Sequence, residues 1–146
     1  MNYPSYVFHS NEDPTQFFFE SIGPKGIIQK SVILTPTEEN NIFNLGLVDV
    51  DSISGELSDM VVTDNEDTDK ILATIFQIVW QYTGRNPTHW IIFAGNSSAR
   101  NRLYRMAINH ALNEIYESFS LLGFTGDNWE TFEPAKTYQI YLVIRK

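Results

Sequence analysis

The sequence predicts an α+β domain: a curved, mainly antiparallel sheet of about six to seven strands with two long helices packed on one face. Three observations predict it. Short β-branched and alternating runs fill the first sixty residues, the apolar period lengthens to three and four from Thr68, and a second helical period follows the short run HWIIFA.

Tyr6 to His9 reads as a short extended segment, Asn11 to Pro14 as turn chemistry, and Gln16 to Ile22 as a strand carrying Phe17, Phe18 and Phe19. Gly23, Pro24 and Gly26 break the chain before the β-branched stretch Ile27 to Leu34, so a hairpin is expected. IFNLGLVDVD alternates Phe43, Leu45 and Leu47 against Asn44, Gly46 and Val48, with Asp49 and Asp51 marking its end. Ser52 to Gly55 turns the chain into Glu56 to Thr63. Ile71, Leu72, Ile75, Ile78, Val79 and Tyr82 then share one helical face, with Asp67 or Thr68 able to cap its start and Gly84 suited to the C′ position.

His89 to Ala94 reads as an inner strand, and a second long helix is expected from about Ser98 to Phe119. On a 100° wheel Leu103, Tyr104, Ala107, Ile108, Ala111, Leu112, Ile115 and Phe119 fill one half of that helix. Arg102, Asn109, Asn113 and Glu117 fill the other. Residues 120–135 are expected as an irregular connection whose Phe124, Trp129 and Phe132 cover an edge of the core. TYQIYLVIRK is a further β-rich run. No repeat or long linker interrupts 1–146, which is expected to be a single domain.

Composition narrows the function classes. The chain is long enough to bury roughly two thirds of its unfolded surface, and its 42% hydrophobic and 14% aromatic content is that of a folding chain. With no cysteine, thiolate nucleophiles, disulfides and cysteine-held metals are ruled out. No window approaches the roughly 20 apolar residues that span a bilayer, and a basic leader is missing, so no membrane association and a cytoplasmic location are expected. Ten basic against eighteen acidic residues leave a net charge of -8, so any polyanion must be met by a local patch.

That patch is FAGNSSARNRLYR. A strand, a Gly95-Asn96-Ser97-Ser98 turn and a helix start bring orphan N–H groups and the positive dipole end to one place, a geometry that holds phosphate or carboxylate. Arg100, Arg102 and Arg105 follow at once, although cations at a helix N-terminus are unfavourable by about 0.3 to 1 kcal/mol each. Two readings are open. Either Gly95, Asn96, Ser97, Ser98 and the three arginines form an anion site, or a serine caps the helix while Arg102 and Arg105 are solvated and Arg100 pairs with a carboxylate such as Asp64 or Asp67.

Asp64, Glu66, Asp67 and Asp69 lack the glycine and distant glutamate of a calcium loop and fit the acidic start of a helix instead. Arg105 and His110 share the Arg-x4-His spacing of a class of helical ribonucleases, but residues five apart point about 140° away from each other. His9, His89 and His110 are isolated in sequence, so neither a nucleophile triad nor a histidine metal site has support, and neither cofactor nor metal is expected.

DMVVTDNEDTDKILAT at 59–74, GNSSARNRLYRMAIN at 95–109 and YQIYLVIRK at 138–146 together resemble a family of short bacterial proteins of unknown function. That resemblance implies a single α+β domain and singles out the Ser/Arg turn without giving it a role. In topology alone, several antiparallel strands followed by a helix are similar to the Pur-alpha and Whirly single-stranded nucleic-acid binding proteins. The expected function is a non-enzymatic binding or regulatory module whose anion site at the second helix engages single-stranded nucleic acid or an acidic protein. The alternatives are an enzyme acting on RNA or a phosphate ester through His110 and the arginines, and an interaction module that homodimerises through an edge strand.

Overall fold

The computed structural model describes residues 4–50, 57–58, 65–94 and 98–146, with backbone alone at 57, 58, 98–100, 103, 107 and 110. These form nine strands: β1 His9–Ser10, β2 Gln16–Gly23, β3 Gly26–Pro36, β4 Ile42–Val50, β5 Leu57–Ser58, β6 Trp90–Phe93, β7 Phe119–Phe124, β8 Trp129–Thr131 and β9 Ile140–Arg145. Three helices accompany them: α1 Thr68–Arg85, α2 Ser98–His110 and α3 Leu112–Ser118. The described registers are antiparallel except for β4 with β6, which run parallel because α1 carries the chain back between them.

The α+β class and the mainly antiparallel pairing hold, whereas the strand count of six to seven was too low. The surplus lies where an irregular connection is expected at 120–135. Phe119, Leu121 and Gly123 turn inward while Ser120, Leu122 and Phe124 are exposed or half-buried, so β7 is a strand of period two. Trp129–Thr131 pairs back on it as β8. The second helix also ends early. Ala111 leaves helical geometry at φ -114, ψ 18, α3 is a separate short helix, and Phe119 at its C-cap is already extended. Of the extended segment Tyr6 to His9, only His9 enters a ladder, with Ser10 beside it. The strand expected over Glu56 to Thr63 falls outside the described residues except at β5.

The chain groups into two compact units, one of Pro36–Asn44 and Trp80–Lys146, the other of Leu45–Val79 with the described residues of Asn2–Thr35. In the second unit β1, β2, β3 and β4 are successive neighbours, with β5 beside β4. The predicted hairpin is present, in register from Gln16 opposite Ile33 to Gly23 opposite Gly26. Its turn needs glycine at 26, where φ is +93. Asn65, almost wholly buried, locks that turn from outside by accepting from Lys25 N–H (2.8 Å) and donating to the Gly26 carbonyl (2.9 Å). A Cβ on Gly23 would run into the Asn65 backbone.

Alternation along β2 buries Phe17, Phe19 and Ser21. Ser21 donates to Asp67 Oδ2 (2.6 Å), which also accepts the Tyr6 hydroxyl at 2.5 Å. Asp67 immediately precedes α1, so its charge sits at the favourable end of the dipole, while its side chain serves the sheet. Tyr6 is fastened a second time through its N–H to Thr74 Oγ1 (2.8 Å), and Lys70 Nζ stands 4.3 Å over its ring. Its hydroxyl also accepts from Ile22 N–H (3.0 Å), closing part of the outer edge of β2. Strand β4 ends at Val50, where Asp49 and Asp51 are expected to mark it, and Asp49 pairs with the fully buried Lys30 of β3 at 2.6 Å.

In the first unit the order is β4, β6, β9, β7, β8. The inner place of β9 explains its consecutive buried residues Tyr141, Leu142 and Val143. Helix α1 continues through Arg85, so Gly84 is not the C′ residue but lies within the last turn, where a Cβ would stand 3.3 Å from Arg145 Nη1. Arg145 uses that room to donate to the Trp80 carbonyl (2.6 Å) and to Thr83 Oγ1 (3.2 Å), placing its positive charge near the helix C-terminus. Gly123 likewise makes room for the ring of buried Tyr138.

Burial of Tyr6, Tyr82, Tyr138 and Tyr141 raises each hydroxyl above the usual pKa of 10, desolvation being the main cause. In the unfolded chain these groups ionise near pH 10. Above that pH the unfolded state holds fewer protons than the folded one, so stability falls as pH rises. The stabilisation is whole below about pH 10. Thermal melts are expected to drop in Tm from about pH 10 upward, and a Tm constant to about pH 11 would refute the burial of these hydroxyls.

Candidate anion-binding site on helix α2

Helix α2 begins five residues after β6, with Gly95, Asn96 and Ser97 outside the described residues and the side chains of Ser98, Arg100 and His110 likewise. Its amphipathic pattern is as the wheel predicts. Ile108 is buried, Tyr104 is half-buried against Phe93 in an edge-on ring contact of 5.5 Å, and Arg102, Met106 and Asn109 are exposed. No acidic residue occupies the first turn.

Arg102 and Arg105, three apart, are neighbours on the helix surface. Arg102 is exposed, and Arg105 is half-buried. The expectation that both are solvated fails for Arg105, because its Nε is buried while Nη1 reaches outward to donate to Thr137 Oγ1 at 3.2 Å. One turn on, Asn109 donates to the Pro134 carbonyl (3.2 Å), so the segment before β9 lies along this helix.

Among the described residues neither Arg102 nor Arg105 meets a carboxylate. The ion pairs found there are Lys30 with Asp49 and Lys136 with Glu130 and Glu133. Two adjacent like charges on a helix repel by a few tenths of a kcal/mol unless an anion joins them. Asp64 and the Arg100 side chain lie outside the described residues, and with them the expected pairing of Arg100 with Asp64 or Asp67.

Strand β9 brings a group that sequence reasoning missed. Tyr141 is fully buried between Phe93 (5.2 Å, stacked), Phe132 and Tyr138, and its hydroxyl has no hydrogen-bond partner. Desolvation raises the Tyr141 pKa, against smaller opposing pulls from the Tyr138 backbone and the Arg105 guanidinium. The tyrosine is legible in YQIYLVIRK as a strand residue, but no local pattern marks a hydroxyl left without a partner.

The described histidines serve packing. His89 stacks on Phe43 (4.5 Å) with its Nδ1 hydrogen-bonded to the Tyr82 hydroxyl (2.8 Å), and His9 stacks on Phe18. Among the described residues no group of three or more His, Asp or Glu converges as metal ligands, and no helix is long and apolar enough to cross a membrane.

A model of a family of unknown function, DUF6934, matches residues 2–146. The chain belongs to that family. No curated protein and no solved structure matches the chain. Membership in DUF6934 brings no assigned chemistry, so the functional reading rests on what α2 and its neighbours present.

Proposed function

We propose that the chain is a non-enzymatic binding module in which α2 engages phosphate groups of single-stranded nucleic acid. Arg102 and Arg105 are the described contacts, with Arg100 and the turn at Gly95, Asn96, Ser97 and Ser98 completing the site at the start of the helix. The observation that carries this reading is the lack of a carboxylate partner for either arginine among the described residues, in a chain where acids outnumber bases by eighteen to ten. Guanidinium groups that stay out of ion pairs are ready donors for phosphate oxygens.

The net charge of -8 repels the dense charge of a duplex and favours a single strand, whose bases can also be held by stacking. Trp90 and Trp129 are 40% and 42% exposed and offer indole surface for that purpose.

The test is anisotropy of labelled single-stranded RNA and DNA against the intact protein and a folded Arg100, Arg102 and Arg105→Ala variant, across a salt series. Salt-sensitive binding is expected, with the log-log salt slope shallower by about 2 in the variant, from about 0.7 per lost phosphate contact. Absence of binding at low salt, or an unchanged slope in the variant, refutes the reading. Cleavage of the probe would turn it toward an enzyme.

A further inference from the structure

We propose that the outer edge of β8 is a docking site for an extended peptide bearing lysine or arginine, which joins the sheet as one more strand beside Trp129–Thr131. The proposal concerns a protein partner and stands apart from the phosphate reading on α2.

Register decides which backbone groups are open. Thr125 N–H donates to the Asn128 carbonyl and Phe132 N–H to the Leu121 carbonyl, both at 3.0 Å, and Gly123 stands opposite Glu130 between these two rows. Bonded and unbonded rows alternate in an antiparallel pair, so Glu130 turns its N–H and C=O toward β7 while Trp129 and Thr131 turn theirs outward. Strand β8 is the last in its sheet order, and Trp129 and Thr131 are exposed, so these groups face solvent with no described strand beyond them. Proteins commonly close such an edge with proline, lysine or a bulge. Trp129, Glu130 and Thr131 supply none of these.

Charge selects the occupant. Exposed Asp127 and Glu133 flank the strand with half-buried Glu130 between them, and Lys136 is shared by Glu130 (3.0 Å) and Glu133 (3.2 Å). Three carboxylates against that one ammonium leave the edge negative. A second copy of this chain, pairing β8 with β8 antiparallel about Glu130, would set Asp127 of one beside Glu133 of the other, and like charges opposite each other are destabilising. A cationic strand meets opposite charge instead, which steers its approach and rejects acidic competitors. Main-chain bonds give affinity in this mode of recognition and side chains give the choice of partner. The exposed Trp129 indole, with the Phe124 ring at 5.2 Å, offers a surface for the apolar stem and the charge of a lysine or arginine.

The test is anisotropy of a short labelled peptide alternating valine and lysine, titrated with the full chain. Beside it run the same peptide with glutamate in place of lysine and a third that is N-methylated throughout its backbone. The lysine peptide is expected to bind, more weakly as salt rises, and the glutamate peptide to bind about tenfold less tightly because its charges oppose those of the edge. Thr131→Pro removes an outward N–H while sparing the bonds of Glu130 to β7. It is expected to weaken binding by about tenfold with little change in Tm. The methylated peptide is expected to lose binding, and it carries the test if that variant fails to fold. No binding of the lysine peptide, equal binding of the glutamate peptide, undiminished binding of the methylated one, or unchanged affinity in folded Thr131→Pro overturns the proposal. Self-association of the intact chain that Thr131→Pro abolishes overturns it too, by making a second copy the occupant.

Discussion

Asp49→Ala is expected to cost about 3 kcal/mol of folding stability, the low end of the range for breaking a buried ion pair. Lys30 is wholly buried in β3, and its ammonium meets Asp49 of β4 at 2.6 Å. Removing the carboxylate leaves that charge inside the protein without this partner, and desolvation then outweighs what remains. The low end applies because the Asp49 side chain keeps 14% exposure and some contact with water. Lys30→Met in the same background is expected to recover most of the loss, since an apolar side chain of similar length needs no counter-charge. Chemical denaturation of the two single variants and the double variant measures this as a cycle. If Asp49→Ala alone costs under about 1 kcal/mol, the pair behaves like a surface salt bridge and the buried lysine needs another explanation.

Asp67→Ala is expected to cost about 2 to 3 kcal/mol, because the Tyr6 and Ser21 hydroxyls lose a shared acceptor where little water reaches them. Asp67→Asn keeps an acceptor oxygen and is expected to cost about 1 kcal/mol, the difference between a charge-assisted and a neutral bond. The loss should also be local. Tyr6 ties its segment to Ile22, Asp67 and Thr74, so hydrogen exchange at Tyr6 and Ile22 N–H is expected to quicken more than in β9. Uniform quickening with no bias to the β2 edge would show that Asp67 acts only through global stability.

Most elements were legible because their periods are local. The hairpin of β2 and β3, helix α1, strand β6 and the amphipathic face of α2 follow from alternation, three-and-four spacing and the breakers Gly23, Pro24 and Gly26. The failures have equally physical causes. Ala111, Leu112 and Ile115 continue a helical period through a real break, since a single residue leaving helical geometry hardly disturbs the pattern. Phe119 to Phe124 alternates as a strand does, yet the apolar Leu122 and Phe124 on its wetter face blur the contrast.

Of the candidate site, Arg102 and Arg105 were visible as a basic cluster in an acidic chain. Thr137 was not, because it meets Arg105 only through folding of segments 32 positions apart in the chain.

The sequence by itself determined the class of fold, the positions of its main helices and hairpin, and the concentration of positive charge in FAGNSSARNRLYR. These depend on residues a few positions apart, whose spacing is set by the backbone's own repeat. Only the tertiary structure decided that Lys30 is buried against Asp49, that Asp67 serves Tyr6 and Ser21, and that Arg105 and Tyr141 each hold a buried polar atom without a partner. Burial and pairing arise between segments distant in the chain, and a charged or polar side chain has no fixed energetic meaning until its neighbours and its access to water are known.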